Sequence, residues 1–492
     1  MIVMKFGGSS VGTPEALAQV VGLVERFRDA KPVLVVSALQ GVTDALLALA
    51  AAATDGRTVT VTAGIASLRE RHHAMVSACV NEGAEACLGG VDALIGELAS
   101  ALSGMNGTRA RIERAFDEIV SFGERLSTPI VAAAIASRGI PASSVDARGL
   151  IVTDDRFGSA NVSFAQTDER VAAVILPMVE AGTVPVVTGF IGATAEGATT
   201  TLGRGGSDYS VAIVAAAIGA DEIWIWKEVD GVLTADPRIV PEASLLSAIS
   251  YDEAAELAHF GAKVLHPKSM IPAVDRKIPV RMRNTFRPDA PGTIIGERSV
   301  QTQSGVKAVA AVKKLSMVTV EGRGMSGMAG FAAHVFGVAG RHGINIVMFC
   351  QSSSEQNICL ISDAKDGRRF KEALERELAG EVSQRLVDTI SVCEDVAAVA
   401  VVGEGMRGVP GVAARLFRAV ASVGVNVLAI AQGSSERCVS FIIAESSADD
   451  IVRAVHASFA LHAPFVEKTA SSYAHAGAAG EKAPAWSDDK NA

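Results

Sequence analysis

Six consecutive residues, Gly203-Arg204-Gly205-Gly206-Ser207-Asp208, combine three glycines, a guanidinium, a hydroxyl and a carboxylate. An apolar run from Val211 to Ile218 follows and reads as a buried helix. The first N–H groups of a helix are unpaired and carry partial positive charge, so that end favours an anion. Glycines let backbone amides approach such a ligand closely. Ser207 or Asp208 could instead simply cap the helix. A second cation, Lys5, follows the apolar Ile2-Val3-Met4 and precedes Gly7-Gly8. Lys227, Arg238 and Lys263 stand in loop-like stretches, and Glu124, Asp208 and Asp230 supply carboxylates. This inventory suits phosphoryl transfer, in which cations offset the charge of the moving group, amides cradle it and little covalent chemistry is needed.

Other chemistries lack their signatures. There is no G-x-x-x-x-G-K-[ST], no H-R-D with D-F-G, no H-E-x-x-H and no G-x-S-x-G. His72-His73, flanked by Arg69 and Arg71, reads as a solvated helical face, and His266 before Pro267 as structural. The six cysteines have no C-x-x-C spacing, so neither a metal cage nor a disulfide framework is expected, and a reducing cytoplasm fits. A net charge of −9 without a basic block argues against nucleic acid and anionic membrane as partners. No signal peptide and no membrane-spanning run of about 18 apolar residues is expected.

The elements that must position these groups alternate strand, loop and helix. Strands are expected at Ile2 to Phe6, Pro32 to Ser37, Ile140 to Val145, Val184 to Thr188, Glu222 to Trp226 and, last, Ile278 to Arg283. Helices are expected from Pro14, from Thr43, across Val61 to Leu102, across Phe116 to Ser137 and from Asp252 to Phe260. Such alternation gives an α/β fold, a mostly parallel sheet sandwiched by helices. Its ligands sit beyond the carboxyl ends of the strands, the edge where Lys5 and Gly7-Gly8 fall.

The second half repeats itself. Gly322-Arg323-Gly324-Met325-Ser326-Gly327 recurs 81 residues later as Gly403-Glu404-Gly405-Met406-Arg407-Gly408. Asn345 matches Asn426, and Gln351-Ser352-Ser353-Ser354-Glu355 matches Gln432-Gly433-Ser434-Ser435-Glu436. Each copy reads as a small α+β module. Each also holds G-x-G-x-x-G, but no acid follows about 20 residues on, so a tight turn is expected rather than a dinucleotide site. The expected division is 1–298 for the catalytic domain, 299–312 for a linker, 313–394 and 395–466 for the two modules, and 467–492 for a disordered tail.

Four motifs in order, Lys5-Phe6-Gly7-Gly8-Ser9-Ser10, Ser121-Phe122-Gly123-Glu124, Gly203 to Asp208 and Gly261 to Pro267, resemble those of aspartate kinases of the amino-acid kinase superfold. The repeated modules look like their paired regulatory ACT domains, of ferredoxin-like α+β fold. The resemblance implies transfer of phosphate from ATP to the β-carboxylate of L-aspartate, giving 4-phospho-L-aspartate on the way to lysine, threonine and methionine. It implies that Lys5 stabilises the transferring group and Asp208 organises the cations. Arg204, Ser207, Thr43 and Glu124 would hold aspartate. Gly7, Gly8, Lys227, Glu228, Leu233, Arg238, Lys263 and Val264 would meet ATP, which brings Mg²⁺; no dedicated metal ligand is assigned. Many relatives have Thr-Asp in place of Lys227-Glu228, and some have Tyr in place of Leu233. Gln351, Gln432, Met325, Asn345 and Asn426 match effector positions, with threonine the first choice and lysine the second. A monofunctional, cytoplasmic homodimer joined through the ACT modules, or a tetramer made of two such dimers, is implied. The alternatives are another carboxylate kinase of the superfold, such as a glutamate 5-kinase or acetylglutamate kinase, and a non-catalytic amino-acid sensor.

Overall fold

The computed structural model describes residues 1–105, 109–261, 265, 267–297, 299–300, 302 and 304–462. Lys263, Val264, His266 and the expected tail lie outside the described residues.

Ile2–Phe6 and Pro32–Val36 are buried at every position, as runs of Val, Ile and Leu in the middle of a parallel sheet should be. They occupy the centre of an eight-stranded sheet. Its order is Ala142–Val145, Val184–Thr188, Pro32–Val36, Ile2–Phe6, Glu222–Lys227, Val280–Asn284, Thr293–Gly296 and Ala248–Ser250. All its pairings are parallel except that of Val280–Asn284 with Thr293–Gly296. Val280–Asn284 is therefore not the last strand of this domain, as the sequence suggested. The two strands beyond it span only four and three residues, too few for a period to register. A three-stranded sheet, Val152–Thr153, Ile191–Thr194 and Thr199–Thr201, forms one wall above the main sheet.

The Ala-rich stretch after the second central strand is helical, as expected. It forms Val42–Thr54, Thr58–Cys79 and Ala84–Ser103, followed by the long helix Arg109–Ala136. Contrary to expectation, two helices, Ala84–Ser103 and Ile112–Ala136, are long and apolar enough to cross a membrane. The apolar window of the second is 83% buried inside the fold, which makes it a core helix. The first packs Val91, Ile95, Leu98 and Leu102 into the same core.

The repeated half forms one antiparallel six-stranded sheet. Its order is Met348–Gln351, Asn357–Asp363, Ala308–Glu321, Thr389–Val402, Cys438–Ala444 and Ala429–Gln432. The two long central strands are each shared between modules. Val306 and Val309 pack in the core of the second module, whereas Val387 and Ile390, 81 residues on, pack in the core of the first. Close approaches repeat the exchange: a Cβ on Gly322 would lie 2.1 Å from the Leu386 carbonyl, and one on Gly403 2.1 Å from the Gly305 carbonyl. The expected linker thus ends in strand, and the expected boundary after residue 394 falls inside Thr389–Val402. The same contacts explain much of the repeated G-x-G-x-x-G. Gly322, Gly324 and Gly403 admit a neighbouring backbone, the last glycines Gly327 and Gly408 take positive φ, and a short 3-10 turn lies inside each motif.

Candidate active site

A cavity of about 600 Å³ opens at the carboxyl edge of the central strands. Lys5, Thr43, Glu124, Arg204, Ser207 and Asp208, named from sequence, all line it. Lys5 sits on a fully buried strand, in register with Val35 and Ile225, and its Nζ lies 2.8 Å from Asp208 Oδ1. Asp208 is in the first turn of the helix Gly206–Ile218 and does not cap it. The N-cap is Gly205, with φ of 75°, and no side chain bonds the cap. Gly203, with φ of 76°, also needs the left-handed region. Gly206 is held for space, since a Cβ there would lie 2.5 Å from the Phe190 ring. Ser269 Oγ donates to the Gly205 carbonyl at 3.2 Å, which ties the following helix Pro267–Asp275 to this loop.

Glu124 comes from the middle of the long helix. That helix can approach closely because residue 123 is glycine: a Cβ there would lie 2.7 Å from Ala38 Cβ. One Glu124 oxygen accepts the Ala38 N–H at 3.1 Å, and the other is buried without a hydrogen-bond partner among the described residues. Burial raises its carboxyl to about 8, although the Ala38 N–H and Lys5 both act to lower it. Arg204 is exposed, and no ion pair joins it to a described residue.

Sequence reasoning missed Asp117, which also lines the cavity and is only 5% exposed. It accepts from Gly158 N–H at 3.0 and 2.8 Å, from Thr201 N–H at 2.8 Å and from the Thr201 hydroxyl at 2.9 Å. Burial lifts its carboxyl above the usual range, and these donors pull the other way. Ser37, Phe190 and Thr201 are further missed lining residues. Phe190 holds φ of 69° with its N–H on Ser210 Oγ.

The cavity lining does not include Gly7, Gly8, Lys227, Glu228, Leu233 or Arg238. Gly7 and Gly8 follow Lys5's strand, and a Cβ on Gly8 would lie 2.8 Å from the Ala38 carbonyl. Lys227 ends the adjacent strand, where its carbonyl accepts from Thr285 N–H at 2.8 Å, and the Glu228 carbonyl accepts from Asn284 at 3.2 Å. Leu233 bridges Leu245, and Arg238 pairs with Asp236 through two of its nitrogens. Among the described residues, no cluster of three or more His, Cys, Asp or Glu is arranged to hold a metal.

In the repeated half, Gln351 and Gln432 end the two edge strands and are exposed, as are Asn345 and Asn426. Met325 is 2% exposed and packs in the core of the first module, which leaves only its main chain to meet a ligand.

Residues 1–284 match the amino acid kinase family, and residues 318–378 and 399–459 each match the ACT domain. The bifunctional aspartokinase/homoserine dehydrogenase of Haemophilus influenzae is 34% identical over 461 residues, 93% of this chain and 56% of that protein. The chain therefore spans about half the length of such bifunctional relatives. Aspartokinase 1, chloroplastic, of Arabidopsis thaliana is 35% identical over 93% of this chain and 80% of its own length. The crystal structure of E. coli aspartokinase III in complex with aspartate and ADP superposes with a TM-score of 0.76 at 31% identity, covering 93% of this chain and 99% of that one. The chain belongs to the amino acid kinase family and, within it, to the aspartokinases.

Proposed function

We propose that the chain phosphorylates the β-carboxylate of L-aspartate with ATP, giving 4-phospho-L-aspartate and ADP, and that an amino acid regulates it through the ACT pair. One observation carries the reading. A single cavity combines the Lys5–Asp208 ion pair, the Arg204 guanidinium and a buried Glu124 carboxylate with one oxygen unpartnered. The E. coli relative of similar fold was crystallised with aspartate and ADP.

The chemistry asks little of a general base. A carboxylate of pKa about 3.9 is already ionised at neutral pH. The task is alignment and charge compensation. Arg204 grips a substrate carboxylate with Ser207 and Thr43. The free Glu124 oxygen takes the α-ammonium. Lys5, held by Asp208, faces the γ-phosphoryl as charge builds on it. ATP runs along the strand edge past Gly7, Gly8, Lys227 and Glu228, with Leu233, Arg238, Lys263 and Val264 as its outer contacts. Mg²⁺ would come as an ion carried by the ATP phosphates, neutralising their charge, since the described residues supply isolated carboxylates rather than a cage.

Threonine is the first choice of effector, since the ACT repeat resembles that of the bifunctional relatives, and lysine, present in one E. coli aspartokinase III crystal, is the second. Gln351 and Gln432, with Asn345, Asn426 and the main chain at Met325, are the proposed contacts. The proposed location is cytoplasmic, and a homodimer through the ACT edges is supported by Phe349 and Ile430, both exposed on the edge strands. The deciding assay is ADP release with L-aspartate, L-glutamate and N-acetylglutamate, repeated with threonine and then lysine. Turnover with aspartate alone is expected; its absence sinks the reading.

A further inference from the structure

Cys350 lies on the edge strand Met348–Gln351 and Cys359 on its neighbour Asn357–Asp363, and the two are direct partners in antiparallel register. Directly opposed residues of an antiparallel pair have Cα atoms about 4.5–5.5 Å apart. That lies within the window of about 4.4–6.8 Å that disulfides occupy. The register sets the two thiols against each other, and Thr319 Oγ1, on the next strand, lies 3.6 Å from Cys359 Sγ. Both cysteines are half-buried, so a small reagent can reach them. We propose that Cys350 and Cys359 form a thiol pair that hydrogen peroxide converts to a disulfide, stapling the edge strand that ends in Gln351 to its neighbour.

The environment divides the two roles. Hydrogen bonds from Cys350 and then Thr319 hold the Cys359 thiol below the usual range, opposed by burial, while Cys350 is pushed up as the donor of that bond. By contrast, burial raises Cys79, Cys87 and Cys438. Cys393 is exposed, but its register partner is Met317. Cys359 attacks one peroxide oxygen, the O–O bond breaks and hydroxide leaves, giving a sulfenic acid. Cys350 then attacks that sulfur, the S–O bond breaks and water leaves with the Cys350 proton. In total two thiols and one peroxide give one disulfide and two waters. The sulfurs lose two electrons and the peroxide gains them.

The staple fixes the strand on which Gln351 stands. The cross-link is independent of the proposed function, whereas its effect on effector binding rests on that reading. The test treats the whole chain with a few equivalents of peroxide, alkylates the remaining thiols and maps peptides by mass. A Cys350–Cys359 peptide lighter by about 2 Da than its two thiols is expected, reversed by dithiothreitol. The C350S variant should stop at a Cys359 sulfenic acid that dimedone traps, and C359S should leave Cys350 unmodified. Alkylation of both residues after Cys393 has been oxidised, or a disulfide that includes Cys393, overturns the proposal. Threonine and lysine are then titrated calorimetrically into oxidised and reduced protein. A change of affinity of about fivefold or more is expected. Equal affinities overturn the coupling, while no binding to the reduced protein sinks the effector reading and leaves the cross-link standing.

Discussion

Glu124 is a carboxyl group that burial pushes up to about 8, which keeps it protonated at neutral pH when no substrate cation faces it. The proposed contact with a substrate ammonium needs it ionised. Binding L-aspartate at about pH 7 should therefore release close to one proton, and the release should fade above about pH 8. Calorimetry in two buffers of different ionisation enthalpy measures it, and Glu124→Gln should abolish it. Stability follows the opposite sign. A folded-state pKa above the unfolded value favours the fold fully below about pH 4.5, and that contribution is lost as pH rises through about 8. Lys5→Met tests the neighbouring charge. With no cation facing the transferring group, kcat should fall about 10²–10³-fold while aspartate affinity holds, as in the loss of other preorganised donors. A variant within about tenfold of the parent would remove that role. Both residues were visible in sequence, Lys5 as a cation at the end of an apolar strand and Glu124 in a recognised motif. Asp117 was not, because between Phe116 and Glu118 it resembles any exposed helical acid. The missed signal was its seven-residue spacing from Glu124, two turns along one face of the helix.

The cavity wall is a matter of elements, and Asp117 shows how they are joined. Its carboxylate binds the long helix Arg109–Ala136 to the turn at Gly158 and to the strand Thr199–Thr201. Asp117→Asn would turn one acceptor into a donor facing N–H groups, at a cost of about 1–3 kcal/mol. The variant should keep its helical circular dichroism, yet KM for aspartate should rise by about tenfold or more, since small misplacements in a site are costly. Amide exchange should quicken at residues 156–160 and 199–202, and unchanged exchange there would deny the tie. The strands that carry the site were legible because burial on both faces leaves continuous Val and Ile, as in Pro32–Val36. The wall was not. Thr199–Thr201 is three threonines long, and Val152–Thr153, across Ile191–Thr194 in the same sheet, has two residues, so nothing in either stretch distinguishes strand from loop.

At the scale of the molecule, the catalytic and repeated halves meet through a buried ion pair. Glu253, 0% exposed, caps the helix Tyr251–His259 and accepts Lys307 Nζ at 2.7 Å and the Glu404 N–H at 2.7 Å. Lys307 immediately precedes the strand Ala308–Glu321, whose start the second module borrows, and Glu404 belongs to that module's repeated glycine turn. At the other end of the same helix, His259 Nε2 bonds the Val347 carbonyl of the first module at 2.7 Å. The offset of 81 revealed two modules, but not that each completes the other. The clue was the apolar pair Val306 and Val309, repeated as Val387 and Ile390. Burial lowers the Lys307 pKa, and Glu253 acts to raise it. Removing one partner of such a pair strands a buried charge, whereas replacing both with neutral groups does not. Lys307→Met should therefore destabilise the chain by about 3–5 kcal/mol, while Lys307→Met with Glu253→Gln should recover more than half of that loss. Midpoints of urea unfolding give both values. If single and double variants lose the same stability, the charge pair is not what joins the halves. Because the helix clamped by both modules leads toward Ser269 and its bond to Gly205, the double variant should also respond less to effector than the parent does, with turnover in its absence within about twofold.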